Sequence, residues 1–230
     1  APRGFAQFEG QYSPALNLAL FSRVLAEPQA DWPQNTVLCG FARYDGAPLA
    51  ASIRAGLDAF LAAGTAPIVF TLGSSVALHA SDFFAIAADA AQRLGRRAIL
   101  ITGQDPAAFP GLPATIRTFR YLPYSVAFPH AAVTVHQGGI GTLAQALAAG
   151  RPQLIAPAAF DQPDNARRAA RAGVARVLPF RSIRLGNMVE QLDALLGDPG
   201  YALRAKAVAQ TVREEERGNP AVELLTRYSD

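Results

Sequence analysis

Short apolar runs alternate with helix-length segments along most of this chain, and that alternation constrains the fold more than any other feature. Pro67–Leu72, Arg97–Thr102, Thr115–Tyr121, Ala131–Val135, Gln153–Ala156 and Ala175–Leu178 read as strands. Between them, Ala47–Ala63 closes at Gly64, a helix from Ser81 (N-cap, with Asp82 in its first turn) runs through Leu94, another runs to Ala149 before Gly150 and Pro152, and Asp164–Ala172 closes at Gly173. Thr36–Gly40 is a further short apolar run, Pro123 opens a short helical turn, and two or three helices finish the chain. Strands that alternate with helices build βα units, so the expected class is α/β, with a doubly wound, Rossmann-like parallel sheet over residues 36–230. Residues 1–35 stand apart. They hold a short apolar stretch, Leu16–Phe21, and then the polar, Pro-bearing Ala30-Asp31-Trp32-Pro33, which reads as the last element of something else followed by a linker. No charged leader precedes a sustained apolar core there, so the segment does not read as a signal peptide.

Composition narrows the function classes. The chain is 50% hydrophobic and 17% charged, close to a globular average, which argues against disorder, collagen-like repeats and coiled coil. No run of 18 apolar residues marks a membrane span. The single cysteine, Cys39, leaves no internal disulfide framework or multi-cysteine metal site and reads as a small core residue. His79, His130 and His136 are too irregularly placed for a zinc cluster, so no metal is expected. Net charge is only +3, and 20 of the 21 basic residues are Arg, Lys206 being the exception. With so much Ala, that skew reads as genome composition. Arg167, Arg168 and Arg171 fall at helical spacing without aromatic interleaving, which suits a solvated helix face rather than a nucleic-acid track. The expected location is cytoplasmic.

In a doubly wound sheet, ligands lie beyond the carboxyl ends of the strands, which singles out the loops after Leu72, Tyr121, Val135 and Ala156. Gly138-Gly139-Ile140-Gly141-Thr142 sits between a strand and a helix. Its glycines let backbone N–H groups approach an anion, the helix N-terminus adds the positive end of its dipole, and Thr142 offers a hydroxyl. No Lys follows the last Gly, so this is not a P-loop. On the residues alone, two other readings stay open. One is a tight strand-to-helix turn with no ligand. The other is a dinucleotide fingerprint, since Gly139–Ala144 matches G-x-G-x-x-A and Asp161 lies 20 residues past Gly141. Against the latter, several βα elements precede the loop, and Asp161 arrives inside the Pro-flanked loop Pro157–Pro163.

The longer string is more specific. His136-Gln137-Gly-Gly-Ile-Gly-Thr, Ala148-Ala149-Gly150-Arg151-Pro152-Gln153, Pro157, and Asp161-Gln162-Pro163-Asp164-Asn165-Ala166 occur in order and spacing. Together they resemble the donor-binding signature of GT-B glycosyltransferases, in the bacterial branch that glycosylates antibiotics, macrolides, sterols, flavonoids and rhamnolipid precursors. The resemblance implies that His136, Gly138, Gly139, Gly141 and Thr142 hold a nucleotide diphosphate. Aligned to branches with one histidine, the family's His falls on Gln137, which makes that phosphate contact a neutral amide. Gly73 and Ser74 resemble the Gly-Ser turn that faces the phosphates. Tyr121 and Leu122, with Pro123, occupy the nucleobase platform, and Asp161 and Gln162 resemble the pair that binds the donor sugar. UDP-sugar enzymes usually carry Glu at the position of Gln145; a neutral residue there favours a TDP-sugar, such as a TDP-deoxysugar, over a UDP-sugar.

The same resemblance implies an inverting, metal-independent transfer to a hydroxyl of a small lipophilic or phenolic acceptor, with no cofactor beyond the nucleotide sugar. The family's N-terminal domain binds the acceptor and supplies a His base. Residues 1–35 look like the end of that domain and the linker, so the expectation is a donor domain with no catalytic residue of its own, inactive alone. The rival classes are an NAD(P)-binding Rossmann module and a non-catalytic nucleotide-sugar-binding protein.

Overall fold

A computed structural model describes residues 11–73 and 80–227; Ser74 and His79, and the side chain of Ser81, lie outside what is described. In chain order the elements are β1 (Asn17–Ala19), β2 (Thr36–Leu38), α1 (Ala51–Ala62), β3 (Ile68–Thr71), α2 (Ala80–Arg93), β4 (Ala98–Ile101), β5 (Ile116–Phe119) and α3 (Tyr124–Ala127). There follow β6 (Val133–His136), α4 (Ile140–Ala149), β7 (Gln153–Ile155), α5 (Gln162–Arg171), β8 (Ala175–Val177), α6 (Leu185–Gly197), α7 (Pro199–Arg217) and α8 (Ala221–Arg227). The six strands β3–β8 form one parallel sheet in the order β5-β4-β3-β6-β7-β8. The chain starts at the centre, winds to one edge, returns to the centre and winds to the other. The α/β, doubly wound expectation is met.

Two-residue alternation along the strands feeds a helical layer on each face. Ile68 and Phe70 of β3, Ala98 and Leu100 of β4, and Val133 and Val135 of β6 pack with Phe83, Phe84 and Ala87 of α2 and with Met188 and Leu192 of α6. Val69, Ile99 and Ile101 face the other way, onto Leu57 of α1 and Ala127 of α3. Further along that second face, Leu143 and Leu147 of α4 meet Ala166 and Ala169 of α5 and Val212 of α7.

Three helices differ from their expected bounds. The helix expected to be capped by Ser81 and to run through Leu94 spans Ala80–Arg93, so Ser81 lies within it and is not its N-cap. The helix expected from Ala47 begins at Ala51, because Pro48 disfavours helical backbone at the residue before it and Ala50 is itself extended, φ −60° and ψ 142°. The helix expected from Asp164 begins two residues earlier, at Gln162, with Pro163 in its first turn, where the absent N–H costs nothing. The run from Thr36 does not extend the main sheet: β2 pairs in parallel with β1 in a separate two-stranded sheet. Leu25 and Phe41, from either side of β2, bury onto α4, α5 and α7. Cys39 is buried.

Leu57 is the one buried side chain of α1, fully enclosed. Leu57→Ala should lower unfolding free energy by about 2–5 kcal/mol, through lost transfer energy and the cavity left behind. Leu203→Ala, at a position 67% exposed, should change it by less than about 0.5 kcal/mol. Urea denaturation of the two variants checks this, and equal effects would contradict the packing described.

Candidate functional site

The strand order reverses between β3 and β6, and the helices that follow these neighbours leave on opposite faces. A crevice opens at their carboxyl ends, where open α/β sheets bind ligands. Here it is a cleft of about 900 Å³. Gly73, after β3, forms one wall, and Gln137, Gly139, Gly141 and Thr142, after β6, form the floor. Tyr121 and Leu122, after β5, close one side, and Gln145 lines it one turn further along α4. The structure thus brings together eight of the residues singled out in the sequence.

The floor is built around Gln137. Gly73 has φ +61°, and a Cβ there would lie 2.2 Å from Gln137 Nε2; Gly138 has φ +89°, and a Cβ there would lie 2.7 Å from Ile155 Cγ2. Only glycine fits either place. Gln137 is 4% exposed, and its buried Oε1 has no hydrogen-bond partner among the described residues. The first helical hydrogen bond of α4 is Leu143 N–H to Gly139 O, at 2.9 Å. The N–H groups of Ile140, Gly141 and Thr142 therefore have no partner within the helix and stand at its positive end. A Cβ on Gly141 would meet nothing within 4 Å, so open space lies directly before that end.

His136 is elsewhere. It ends β6 with its ring directed away from the cleft, fully buried and stacked on Phe128 at 6.5 Å between centroids. Gly138 N–H donates to Nδ1 (3.1 Å), so Nδ1 carries no proton, and Nε2–H donates to Gln153 Oε1 (3.0 Å). That ring braces the glycine loop from beneath and presents no atom to a phosphate.

Asp161 and Gln162 also lie outside the cleft lining. Gln162 is 2% exposed, and its Oε1 accepts N–H groups from Ala158 (2.9 Å) and Ala159 (3.2 Å), bracing its own loop. Asp161 is exposed and accepts a hydrogen bond from Asn165 Nδ2 (2.7 Å), which also donates to Gly138 O (3.0 Å). Asn165 thereby ties this loop to the glycine floor. Before Asp161 stands Phe160, 86% exposed with φ +58°, a strained backbone position for an aromatic residue.

The sequence reading missed residues 42–46, which cross the cleft mouth between β2 and α1. Arg43 forks onto Glu216 of α7, with Nη2 to Oε2 at 2.8 Å and Nε to Oε1, and its Nη1 donates to Gln145 Oε1 (3.1 Å). Gln145 Nε2 donates to Asp45 Oδ1 (3.1 Å), and the Tyr121 phenol donates to the Asp45 carbonyl. The short spacing Arg43-Tyr44-Asp45-Gly46 was visible, but it has the composition of an ordinary turn. Among the described residues, no three His, Cys, Asp or Glu side chains gather as a metal site, and no helix is long and apolar enough to cross a membrane.

Burial lowers the His136 pKa from 6.5 to about 4, partly countered by the Gln153 hydrogen bond. The unfolded chain takes up this proton below pH 6.5 and the folded one only near pH 4. Stability from this group is therefore complete above pH 6.5 and falls as pH drops toward 4, by about 3 kcal/mol in all. Urea midpoints between pH 7.5 and 4.5 should decline more steeply for the wild type than for His136→Gln, and parallel slopes would contradict the buried, neutral ring.

Comparison with known proteins places this geometry. Residues 89–226, more than half of the chain, match the family described as erythromycin biosynthesis protein CIII-like, C-terminal domain. The chain is 31% identical over 218 residues to the O-mycaminosyltylonolide 6-deoxyallosyltransferase of Streptomyces fradiae, covering 94% of this chain and 50% of that protein. Among solved structures, the spinosyn rhamnosyltransferase SpnG with spinosyn aglycone superposes with a TM-score of 0.76 at 24% identity, over 94% of this chain and 57% of that one. The glycosyltransferase VinC in complex with DTDP gives 0.73 at 22%, over 92% and 51%. These two show the fold, and the expected GT-B architecture is met. The chain spans about half the length of the curated relatives it matches. By the family match and by its identity to the Streptomyces enzyme, the chain belongs to the erythromycin biosynthesis protein CIII-like glycosyltransferases, in the region of their C-terminal domain.

Proposed function

We propose that this chain binds the nucleotide-sugar donor of an inverting, metal-independent glycosyltransferase, and that the donor is a TDP-sugar. The observation that carries the reading is the unpaired N-terminal end of α4, opening on empty space at the strand-order reversal. A diphosphate placed there accepts hydrogen bonds from Ile140, Gly141 and Thr142, and the helix dipole favours its charge. In the transfer step, the acceptor hydroxyl attacks the anomeric carbon from the side opposite the diphosphate. The bond from that carbon to the diphosphate oxygen breaks, and the oxygen leaves with the electron pair and its negative charge. Preorganised N–H donors aimed at that oxygen lower the barrier because the developing charge is met without rearrangement. In this reading the backbone donors meet the charge, with no bound metal or further cofactor.

Support for TDP is of two kinds. VinC, named above, is bound to DTDP. Gln145, neutral where a carboxylate would grip two ribose hydroxyls, has both ends of its amide engaged by Arg43 and Asp45. The acceptor class, a small lipophilic or phenolic hydroxyl compound, rests on kinship with the antibiotic-modifying enzymes. No histidine lines the cleft among the described residues. The base that deprotonates the acceptor is assigned in this reading to the part of the relatives' length that this chain does not span, so the chain alone should transfer no sugar. A dinucleotide fingerprint fits less well, because the G-x-G-x-x-A loop follows β6, the fourth strand of the main sheet in chain order, and not the first.

Gly141→Val should fold as the wild type does, since a Cβ there meets nothing, yet it should bind TDP at least tenfold more weakly because the side chain fills the phosphate's place. Calorimetry with TDP on the folded variant decides this, and unchanged affinity would remove the diphosphate from the helix end. This reading also assigns Asp161, which lies outside the cleft lining but is joined to the glycine floor through Asn165, to a hydroxyl of the donor sugar. Asp161→Ala should then leave free TDP binding alone and weaken a TDP-sugar by about tenfold, the worth of one charge-assisted hydrogen bond. Equal losses for both ligands would place Asp161 away from the sugar.

A further inference from the structure

The cleft wall opposite the glycine floor holds a carboxylate that the donor-binding reading has not used. Asp45 is the one acidic side chain lining the cleft among the described residues. Its Oδ1 is engaged, accepting from Gln145 Nε2 (3.1 Å) and from the Ser125 N–H (3.3 Å). Its Oδ2 has no hydrogen-bond partner among the described residues.

The orientation of this carboxylate is built by a relay that starts on α7. Glu216 holds Arg43 through two hydrogen bonds. A guanidinium has donors only, so the atom of Gln145 that faces Arg43 has to be its carbonyl oxygen, and the distance is 3.1 Å. The amide nitrogen of Gln145 then points the other way, at Asp45 Oδ1 and, at 3.4 Å, at the Tyr44 carbonyl. Tyr121 pins the main chain of the same residue by donating to its carbonyl. Arg43 is paired with Glu216 and leaves the negative charge of Asp45 uncancelled by a direct ion pair. The relay therefore spends the donors around Asp45 on one oxygen and leaves the other without one among the described residues.

Position along the helix says what that oxygen would meet. Gln145 lies four residues beyond Gly141, and a helix rises about 1.5 Å per residue, so the relay stands about 6 Å past the anion-binding end. The nucleoside sugar of a nucleotide whose diphosphate sits at that end can reach this depth, where Tyr121 also lines the cleft. We propose that Asp45 Oδ2 accepts a hydrogen bond from a hydroxyl of the nucleoside sugar, the 3′-hydroxyl in thymidine diphosphate. Residue 145 is then neutral because it must donate to Asp45. A Glu there would replace the N–H donor to Asp45 with a second carboxylate about 3 Å away, and the two like charges would repel. This inference rests on the nucleotide reading above and assigns the group that holds the nucleoside sugar to the 42–46 segment.

The test is calorimetry of the wild type and Asp45→Asn with TDP and with 3′-deoxythymidine diphosphate, which lacks only that hydroxyl. Loss of the hydroxyl should weaken wild-type binding about tenfold, as expected for a charge-assisted hydrogen bond. In Asp45→Asn the same deletion should cost less than about threefold, because a neutral partner gives a hydrogen bond about half as strong. Gln145→Glu alone should weaken TDP, and Asp45→Asn with Gln145→Glu should recover most of the loss by restoring a single carboxylate. Wild type that binds both nucleotides equally, or a hydroxyl deletion that costs wild type and Asp45→Asn the same, overturns the role of Asp45 and leaves the diphosphate reading standing. Wild type that binds neither nucleotide overturns both.

Discussion

The parallel pairing of β3 with β6 at the middle of the sheet is the contact on which the site depends. Ile68, Val69 and Phe70 register against Val133, Thr134 and Val135, all buried, so the two strand ends are held side by side. The helices that follow them, α2 and α4, pack on opposite faces, so both strand ends open at the reversal of strand order. The glycines can then do their work. Gly73 and Gly138 yield their side-chain volume to Gln137 and Ile155, and α4 starts where its unpaired N–H groups face the opening. Without the apolar pairing beneath, these loops would have nothing to fix their spacing.

A second set of interactions reaches this centre from far along the chain. Glu215 and Glu216, adjacent on α7, take Arg23 and Arg43, which flank β2 in the chain. Arg23 is mostly exposed but the side chain of its partner Glu215 is buried, so this pair shields a carboxylate that would otherwise lie buried and unpaired. The Arg43 pair is more enclosed and orients a buried amide in the cleft wall, so its consequence is geometric. It links the position of α7 to the shape of the cleft beside Gln145. Leu25 and Phe41, buried against α4, α5 and α7, hold the same segment by apolar contact.

His136 and Gln162 are where motif and geometry separate. Each belongs to the donor-binding string, yet here each supports main chain: His136 beneath Gly138, Gln162 beneath Ala158 and Ala159. A strand places consecutive side chains on opposite faces, so His136 and Gln137 could not both face the cleft. The string alone names both and does not say which face opens to the ligand. Asp45 is the converse. It carries no motif in a turn-like segment and joins the wall through Gln145, Ser125 and Tyr121, residues 76 to 100 positions away in the chain that only the fold brings near.

What the sequence determined by itself is local in origin. Alternation of apolar runs with helical periods specified the α/β class, and Gly138, Gly139 and Gly141 between a strand and a helix marked the turn into α4, because periodicity and turn chemistry act over a few residues. Boundaries slipped where a neighbour intervened, as at Pro48 before α1. Tertiary structure decided the rest: that β2 joins β1 and not the main sheet, that Gln137 faces the cleft while His136 is buried, and that Arg43 and Asp45 line the same cleft. Those outcomes depend on partners up to 173 residues apart. Their energy appears only when the sheet and its two helical layers have closed, since burial and long-range ion pairing are properties of the packed chain and not of any segment within it.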